Sequence, residues 1–307
     1  MDEIFTKALQ DLLSAHCAPS VVRAVEAQGL QDKTSSAATD LWQAIADSGF
    51  ANAMVPESHG GAGLSMAEAF ALFELCGRFV VPLPLAETMV ARAWAAKRSL
   101  AAPQAWVDLD WVDATARTMP QLPGLDAGLD TQALRAAVVA AQMAGALQRV
   151  LEMTLNFANE RQQFGRALGK FQAIQHQLAL MAEQTLAARM AAQMGCAGFA
   201  GLGAAHLGSP DDAQTDRLRA GIAKARASEA AVVVTDLAHS IHGAIGFTDA
   251  FDLQLFTRGL HAWRQSAGSE SYWHQQIGDA LVNQHTGRAI DSLRAATDAP
   301  NLPDTSR

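Results

Sequence analysis

Three cysteines, Cys17, Cys76 and Cys196, are too few and too widely spaced for a disulfide framework, and no C-x-x-C pair is present to hold zinc. Cysteine use this sparse fits a reducing cytoplasm, the expected location. Aromatic residues make up 6% of the 307-residue chain, with a single tyrosine, a poor basis for an all-β protein. Basic residues are in the minority. With 23 Lys and Arg against 31 Asp and Glu, the formal charge of −8 disfavours nucleic acid or an anionic membrane as main partner. No apolar run is read as reaching the roughly 18 to 20 residues of a membrane span. The opening MDEIFTKALQ carries acids and no cationic n-region, so no secretory signal is expected. What is abundant is hydrophobic residues, at 50%, with alanine dominating long stretches. That balance suits helices packed closely on small side chains.

Helical periodicity organises the chain. The spacing predicts a helix over residues 35–49, with Leu41, Ile45 and Ala46 on one face and Gly49 as its stop. Residues 54–63, with Pro56 and several glycines, read as a loop. Ser65 with Glu68 three residues on is a capping-box spacing, opening a helix that runs to about Val80 before Pro82 and Pro84. Residues 1–85 thus make an N-terminal helical domain. Residues 86–130, interrupted by Pro103, Pro120 and Pro123, read as a linker or small remnant, with one strand-like alternation over 106–112. From Thr131 the period strengthens, predicting helices over 131–161, 171–194, 211–241 and 251–277, with a glycine-rich loop at 198–208. Four helices so connected form an antiparallel bundle over 131–290, with a tail at 291–307. The fold class is mainly α.

Three motifs carry candidate chemistry. In RQQFGRALGKFQAIQHQLA, Arg161 ends one helix, Gly165 breaks it, and Arg166 and Lys170 follow. Three cations by a helix terminus can hold a phosphate. The plainer reading, which the residues alone favour, is that Arg161 complements the helix dipole. In HSIHGAIGFT, Gly243 and Gly246 follow a helix and permit close backbone approach to a ligand, or simply tight packing. His239 and His242 have the spacing of a metal pair but lack a third ligand. The third motif runs from Arg258 through Ala267 to Glu270.

These motifs resemble those of the acyl-CoA dehydrogenases. RQQFGRALGKFQAIQHQLA is similar to the family's R-x-Q-F-G…F-Q…LA hallmark, and HGAIGF to its G-G-x-G-[YF] loop. The segment from Arg258 is similar to the R-D…E-G-T stretch. PESHGGAGLS and the pattern over 77–85 are similar to the N-terminal helical domain. The resemblance covers residues 35–90 and 130–280, and the motifs fall in the family's order. It implies FAD at a subunit interface, its ring on a central β-domain and its adenosine diphosphate end on the neighbouring subunit's C-terminal bundle. Carried over by position, Arg161, Gln163 and Phe164 match residues that reach a neighbour's pyrophosphate and adenosine. Ser240 stands where glutamine is usual and Ala244 where the second glycine is usual, while Gly243 and Gly246 are retained.

Two departures shape the expected role. The family's catalytic glutamate falls at Ala267, and its alternative position on the first bundle helix falls at Arg135. Neither can take a proton from a thioester α-carbon. Glu270 lies three residues away as a weak substitute, and Asp249 and Asp252 read as helix-start residues. The middle is also short. The stretch between Val90 and Thr131 has room for about four short strands at roughly five to six residues each, too few for the family's β-domain. The resemblance therefore implies a truncated small subunit of a heteromeric α2β2 acyl-CoA dehydrogenase, as known in steroid side-chain degradation. A full-length partner would supply the flavin-ring domain and the base. The complex would carry out α,β-dehydrogenation of an acyl-CoA, with FAD shared between subunits. The alternative is a catalytically inactive acyl-CoA-binding or structural protein without FAD.

Overall fold

The computed structural model describes residues 2–28, 36–109, 130–199 and 210–283. Helices α1 (Asp2–His16), α2 (Pro19–Gln28), α3 (Ser36–Ser48), α4 (Met66–Arg78) and α5 (Leu85–Lys97) form an N-terminal helical domain. Helices α6 (Thr131–Glu160), α7 (Gln172–Ala197), α8 (Pro210–His242), α9 (Leu253–Gln265) and α10 (Glu270–Asn283) form a C-terminal one. Among the described residues the only sheet is a hairpin of β1 (Gln162–Gln163) and β2 (Arg166–Ala167). The chain is mainly α, and the central β-domain of the family is largely missing.

The N-terminal domain follows local rules where those rules are strong. In α3, Leu41 and Ile45 are buried at helical spacing, and Gly49, at φ 81°, ends the element. The start of α4 is a full capping box: Glu68 N–H donates to Ser65 Oγ at 3.3 Å and Ser65 N–H to Glu68 Oε2 at 2.8 Å. The Ser65 N–H and the Ser65 hydroxyl, which donates to the same oxygen at 2.7 Å, hold the Glu68 carboxyl below its ordinary range. Helices α1 and α2, which the sequence reading did not assign, bury Leu9, Leu13, Val22 and Val25.

One expectation is corrected here. The stretch from residue 86, read as the start of a linker or remnant, begins inside α5. This helix buries nearly every residue from Leu85 to Ala96, so it shows no polar face and no amphipathic period to read. The strand-like residues 106–109 are not a strand. Val107 is instead tied to α5, its N–H donating to Thr88 Oγ1 at 3.0 Å and its carbonyl accepting from the same hydroxyl at 2.9 Å. Arg92 of α5 donates to the Gln104 carbonyl at 3.0 Å. Residues 110–112 of that expected strand, most of the glycine-rich loop and the tail at 291–307 lie outside the described residues.

Glycines set how the two domains meet. A Cβ at Gly77 of α4 would stand 1.7 Å from the Gln142 carbonyl oxygen, and one at Gly145 of α6 would stand 1.8 Å from that of Glu74. The backbones of α4 and α6 touch because neither position has a side chain. Ion pairs flank the crossing: Arg78 grips Glu152 with two bonds of 2.7 and 2.8 Å, and Arg189 of α7 holds Glu74.

In the C-terminal domain α8 packs against both α6 and α7. Its inner surface is alanine at 220, 223, 227, 230, 231 and 238, all fully buried. This composition overturns one expectation. The stretch Ala213–Phe247 contains an 18-residue window apolar enough to cross a membrane by length and composition alone. That window is 44% buried in the bundle, and Ile245 and Phe247 at the end of the stretch are exposed. The expected fourth helix over 251–277 is also divided, into α9 and α10. The chain turns between them at Ala267 and Gly268, with φ of 54° and 91°.

Candidate functional site

The first expected site segment is a hairpin at the end of α6. Arg161 caps that helix, its N–H donating to the Phe157 carbonyl at 2.9 Å. Gln162 then pairs with Ala167 and Gln163 with Arg166, leaving Phe164 and Gly165 as the turn. Both have positive φ, 50° and 78°, the requirement of a two-residue I′ hairpin. For Phe164 that conformation costs about 1–2 kcal/mol. Little burial offsets it, since Phe164 is 90% exposed. Its ring makes only an edge contact with Phe171, at 6.3 Å. The Arg166 guanidinium lies over the Phe171 ring at 4.0 Å and helps shape the turn. Arg161 and Gln163 are exposed. Among the described residues, Arg161 meets no carboxylate.

The second segment ends α8. Gly243, at φ 65°, turns the chain into a short 3-10 stretch, Gly243–Phe247. Ser240, Gly243, Ala244, Ile245 and Phe247 are exposed, and Gly246 is buried. The two glycines serve different ends. Gly243 has open space where a Cβ would be and is needed for its φ. At Gly246 a Cβ would stand 3.0 Å from His242 Cβ, 3.1 Å from Leu253 and 3.2 Å from His239 Nδ1.

Aromatic stacking joins the two segments. The Phe157 ring, one turn before Arg161, stacks on His242, immediately before Gly243, at 4.3 Å. His242 donates from Nδ1 to the Ala238 carbonyl at 2.8 Å and leans on Phe251 at 5.0 Å. Burial lowers the pKa of both His239 and His242, so their rings are neutral at neutral pH. Among the described residues no group of three His, Cys, Asp or Glu could hold a metal ion.

The third segment holds Ala267, the position expected for the base. Ala267 sits at the α9–α10 turn, where its carbonyl accepts from Trp273 Nε1 at 2.9 Å. The buried Lys224 of α8 binds the same turn, donating to the carbonyls of Arg264 at 3.0 Å and Gly268 at 2.9 Å, and to Ser228 Oγ at 2.9 Å. Glu270 is engaged by Arg264, whose hydrogen bond holds the carboxyl below its ordinary range. Arg135 lies near the start of α6, where its charge acts on the Glu87 carboxyl, which burial raises. Asp252 occupies the N-cap position of α9, but its carboxylate accepts from Arg23 at 2.7 Å. Asp249 accepts from Gln254 at 2.9 Å.

The sequence reading did not assign roles to Phe157, Phe247 or Lys224. Two of them carry a signal: Phe157 lies four residues before Arg161 on a helix, and Phe247 closes the HGAIGF motif. One end of the bundle therefore presents a guanidinium, exposed loop backbone and two exposed aromatic rings. This set suits a diphosphate joined to a purine. Among the described residues no sheet exists on which a flavin ring could lie.

Helices docked by a glycine crossing on a long-helix bundle, with the two motifs at one end, define the helical architecture of an acyl-CoA dehydrogenase-type protein. The family model of the acyl-CoA dehydrogenase C-terminal domain matches residues 124–282, and that of the N-terminal domain matches residues 2–101. The chain belongs to the acyl-CoA dehydrogenase family. It is 28% identical over 316 residues to the acyl-CoA dehydrogenase IpdE2 of Mycolicibacterium smegmatis, covering 87% of this chain and 94% of the relative. Among solved structures it resembles the Tcur3481-Tcur3483 steroid ACAD G363A variant, at TM-score 0.68 and 22% identity, covering 92% of this chain and 99% of that one. It also resembles the ChsE4-ChsE5 complex from Mycobacterium tuberculosis, at TM-score 0.70 and 18% identity, covering 92% and 97%.

Proposed function

We propose that this chain is the small subunit of a heteromeric acyl-CoA dehydrogenase and supplies the adenosine-diphosphate half of a shared FAD site. Arg161 would meet the pyrophosphate, Gln163 and Phe164 the adenosine, and the backbone at Ser240, Gly243, Ala244 and Gly246 would border the same nucleotide. A full-length family member would supply the flavin-ring domain and the carboxylate base. FAD, when bound, supplies the hydride acceptor for α,β-dehydrogenation of a CoA thioester. The observation that carries this reading is Phe164, held out at 90% exposure in a costly backbone conformation beside an exposed Arg161. A hairpin shaped only for its own chain has no reason to hold a phenyl ring in water.

The outer face of α7 supports a partner. Leu186 and Met190 lie one turn apart and are 58% and 62% exposed. An apolar stripe of this kind marks an association surface. The likeness to a steroid ACAD makes a bulky ring-derived acyl group the substrate class proposed here.

The test is to purify the chain alone and co-expressed with a full-length acyl-CoA dehydrogenase of the same organism, add FAD, desalt, and record absorption spectra. Flavin is expected to stay with the complex and to be lost from the isolated chain. A chain that alone retains stoichiometric flavin, or that forms no complex, would overturn the proposal.

A further inference from the structure

The imidazole of His239 lies flat against the ring of Phe247, with centroids 4.1 Å apart and planes 17° from parallel. Phe247 is 68% exposed, so the imidazole backs the ring while much of it stays open to water. His239 is itself fixed. Its Nε2 shares a 3.0 Å hydrogen bond with Thr257 Oγ1 on α9. Its Nδ1 is buried without a hydrogen-bond partner, 3.2 Å from where a Gly246 side chain would begin. The loop closes onto the imidazole because residue 246 is glycine. Ile245 beside it is also exposed, and the Phe157–His242 stack joins this end of α8 to the hairpin that holds Phe164 out. Two exposed aromatic side chains at one end of the bundle, one of them backed by a fixed flat ring, suit a planar ligand.

We propose that His239 is a positioning residue of the cofactor half-site, holding Phe247 flat and outward so that its open face takes the purine ring of the bound dinucleotide. The proposal rests on the half-site reading above and adds the element that recognises the base. His239 acts here as a neutral surface and not as a cation for the diphosphate. Burial and the nearby His261 both disfavour its protonation, against an opposing pull from Asp236, and His242 is also neutral.

The test titrates ADP into the full chain by calorimetry at neutral pH, with folding checked by circular dichroism. His239→Leu keeps bulk but removes the flat face, and His239→Phe keeps the flat face. The Leu variant, like Phe247→Leu, is expected to bind ADP about 3- to 10-fold more weakly, while the Phe variant stays within about twofold of the parent. The double Leu variant should bind no worse than either single one, since the two rings act as a unit. Ring-current shifts of the Phe247 protons should be lost in His239→Leu and kept in His239→Phe. A folded His239→Leu that binds ADP as the parent does would overturn the proposal, as would a Phe variant as weak as the Leu variant. ADP binding that depends on Arg161 but not on His239 sinks this inference and leaves the half-site standing. Absence of ADP binding to the parent chain would sink this inference, while flavin retention by the complex decides the half-site reading separately.

Discussion

Arg264 reaches across the α9–α10 turn and takes both carboxylate oxygens of Glu270, its Nε lying 3.1 and 3.2 Å from them and its Nη2 bonded to Oε1. The pair occupies the turn that holds Ala267, the position at which the resemblance leads one to expect the family's glutamate. A carboxylate held ionised by a guanidinium is a weak base and a poor acceptor of a carbon-bound proton.

Glu270→Gln is therefore expected to act on stability and not on chemistry. Turnover of the complex with its partner should be essentially unchanged, while loss of the partly exposed ion pair lowers unfolding free energy by about 1 kcal/mol. Steady-state kinetics and a denaturant titration measure the two. Abolished turnover in a folded variant would return the base to this chain.

Arg161→Ala should weaken FAD binding to the complex by about 10- to 100-fold, since charge-assisted hydrogen bonds are worth roughly 1.5–3 kcal/mol. Turnover at saturating FAD should survive, because base and ring contacts are assigned to the partner. Arg161→Lys should recover only part of the affinity, as an ammonium cannot fork onto two oxygens. Unchanged FAD affinity in the Ala variant would leave Arg161 as a helix cap alone.

Lys224 gives a pH signature. Burial, the main cause, pushes its pKa down from 10.5 to about 8, against the attraction of Glu270. Between those values the unfolded chain binds more protons than the folded one, so this group makes stability rise with pH from about 8 to about 10.5. Lys224→Met removes the titration and leaves the Arg264 and Gly268 carbonyls without their donor, at a cost of roughly 1–3 kcal/mol at neutral pH. Urea melts at stepped pH should show the parent gaining on the variant across that window. Parallel curves would contradict the assignment.

Gly145→Ala tests the domain crossing. The added methyl would meet the Glu74 carbonyl at 1.8 Å, and forcing the backbones apart should cost about 1–3 kcal/mol or more. Gly278→Ala on α10 is the control, because its Cβ meets nothing within 4 Å and should stabilise the helix by up to about 1 kcal/mol. If both substitutions stabilise the protein, α4 and α6 are not in backbone contact.

The helices that could be read in the sequence were those whose signals are local. The Ser65–Glu68 capping box, the Gly49 stop and the periods of α3, α4, α6 and α7 involve residues within one or two turns of each other. Helix α5 was not legible because burial on every side leaves it no polar face. The break between α9 and α10 falls at Ala267-Gly268-Ser269, a weak point within the expected helix, and it is fixed by Lys224, far away on α8, which takes up the carbonyls that the turn exposes. The site divides in the same way. By itself the sequence determined the cationic turn after residue 160, the glycine loop and the absence of a carboxylate at positions 267 and 135, because residue identity suffices for these. Only the tertiary structure decided that Phe157 stacks on His242, that Phe247 rests on His239 and that Arg264 neutralises Glu270. These depend on how closely helices approach and on which rings then meet, and spacing along one chain does not encode either.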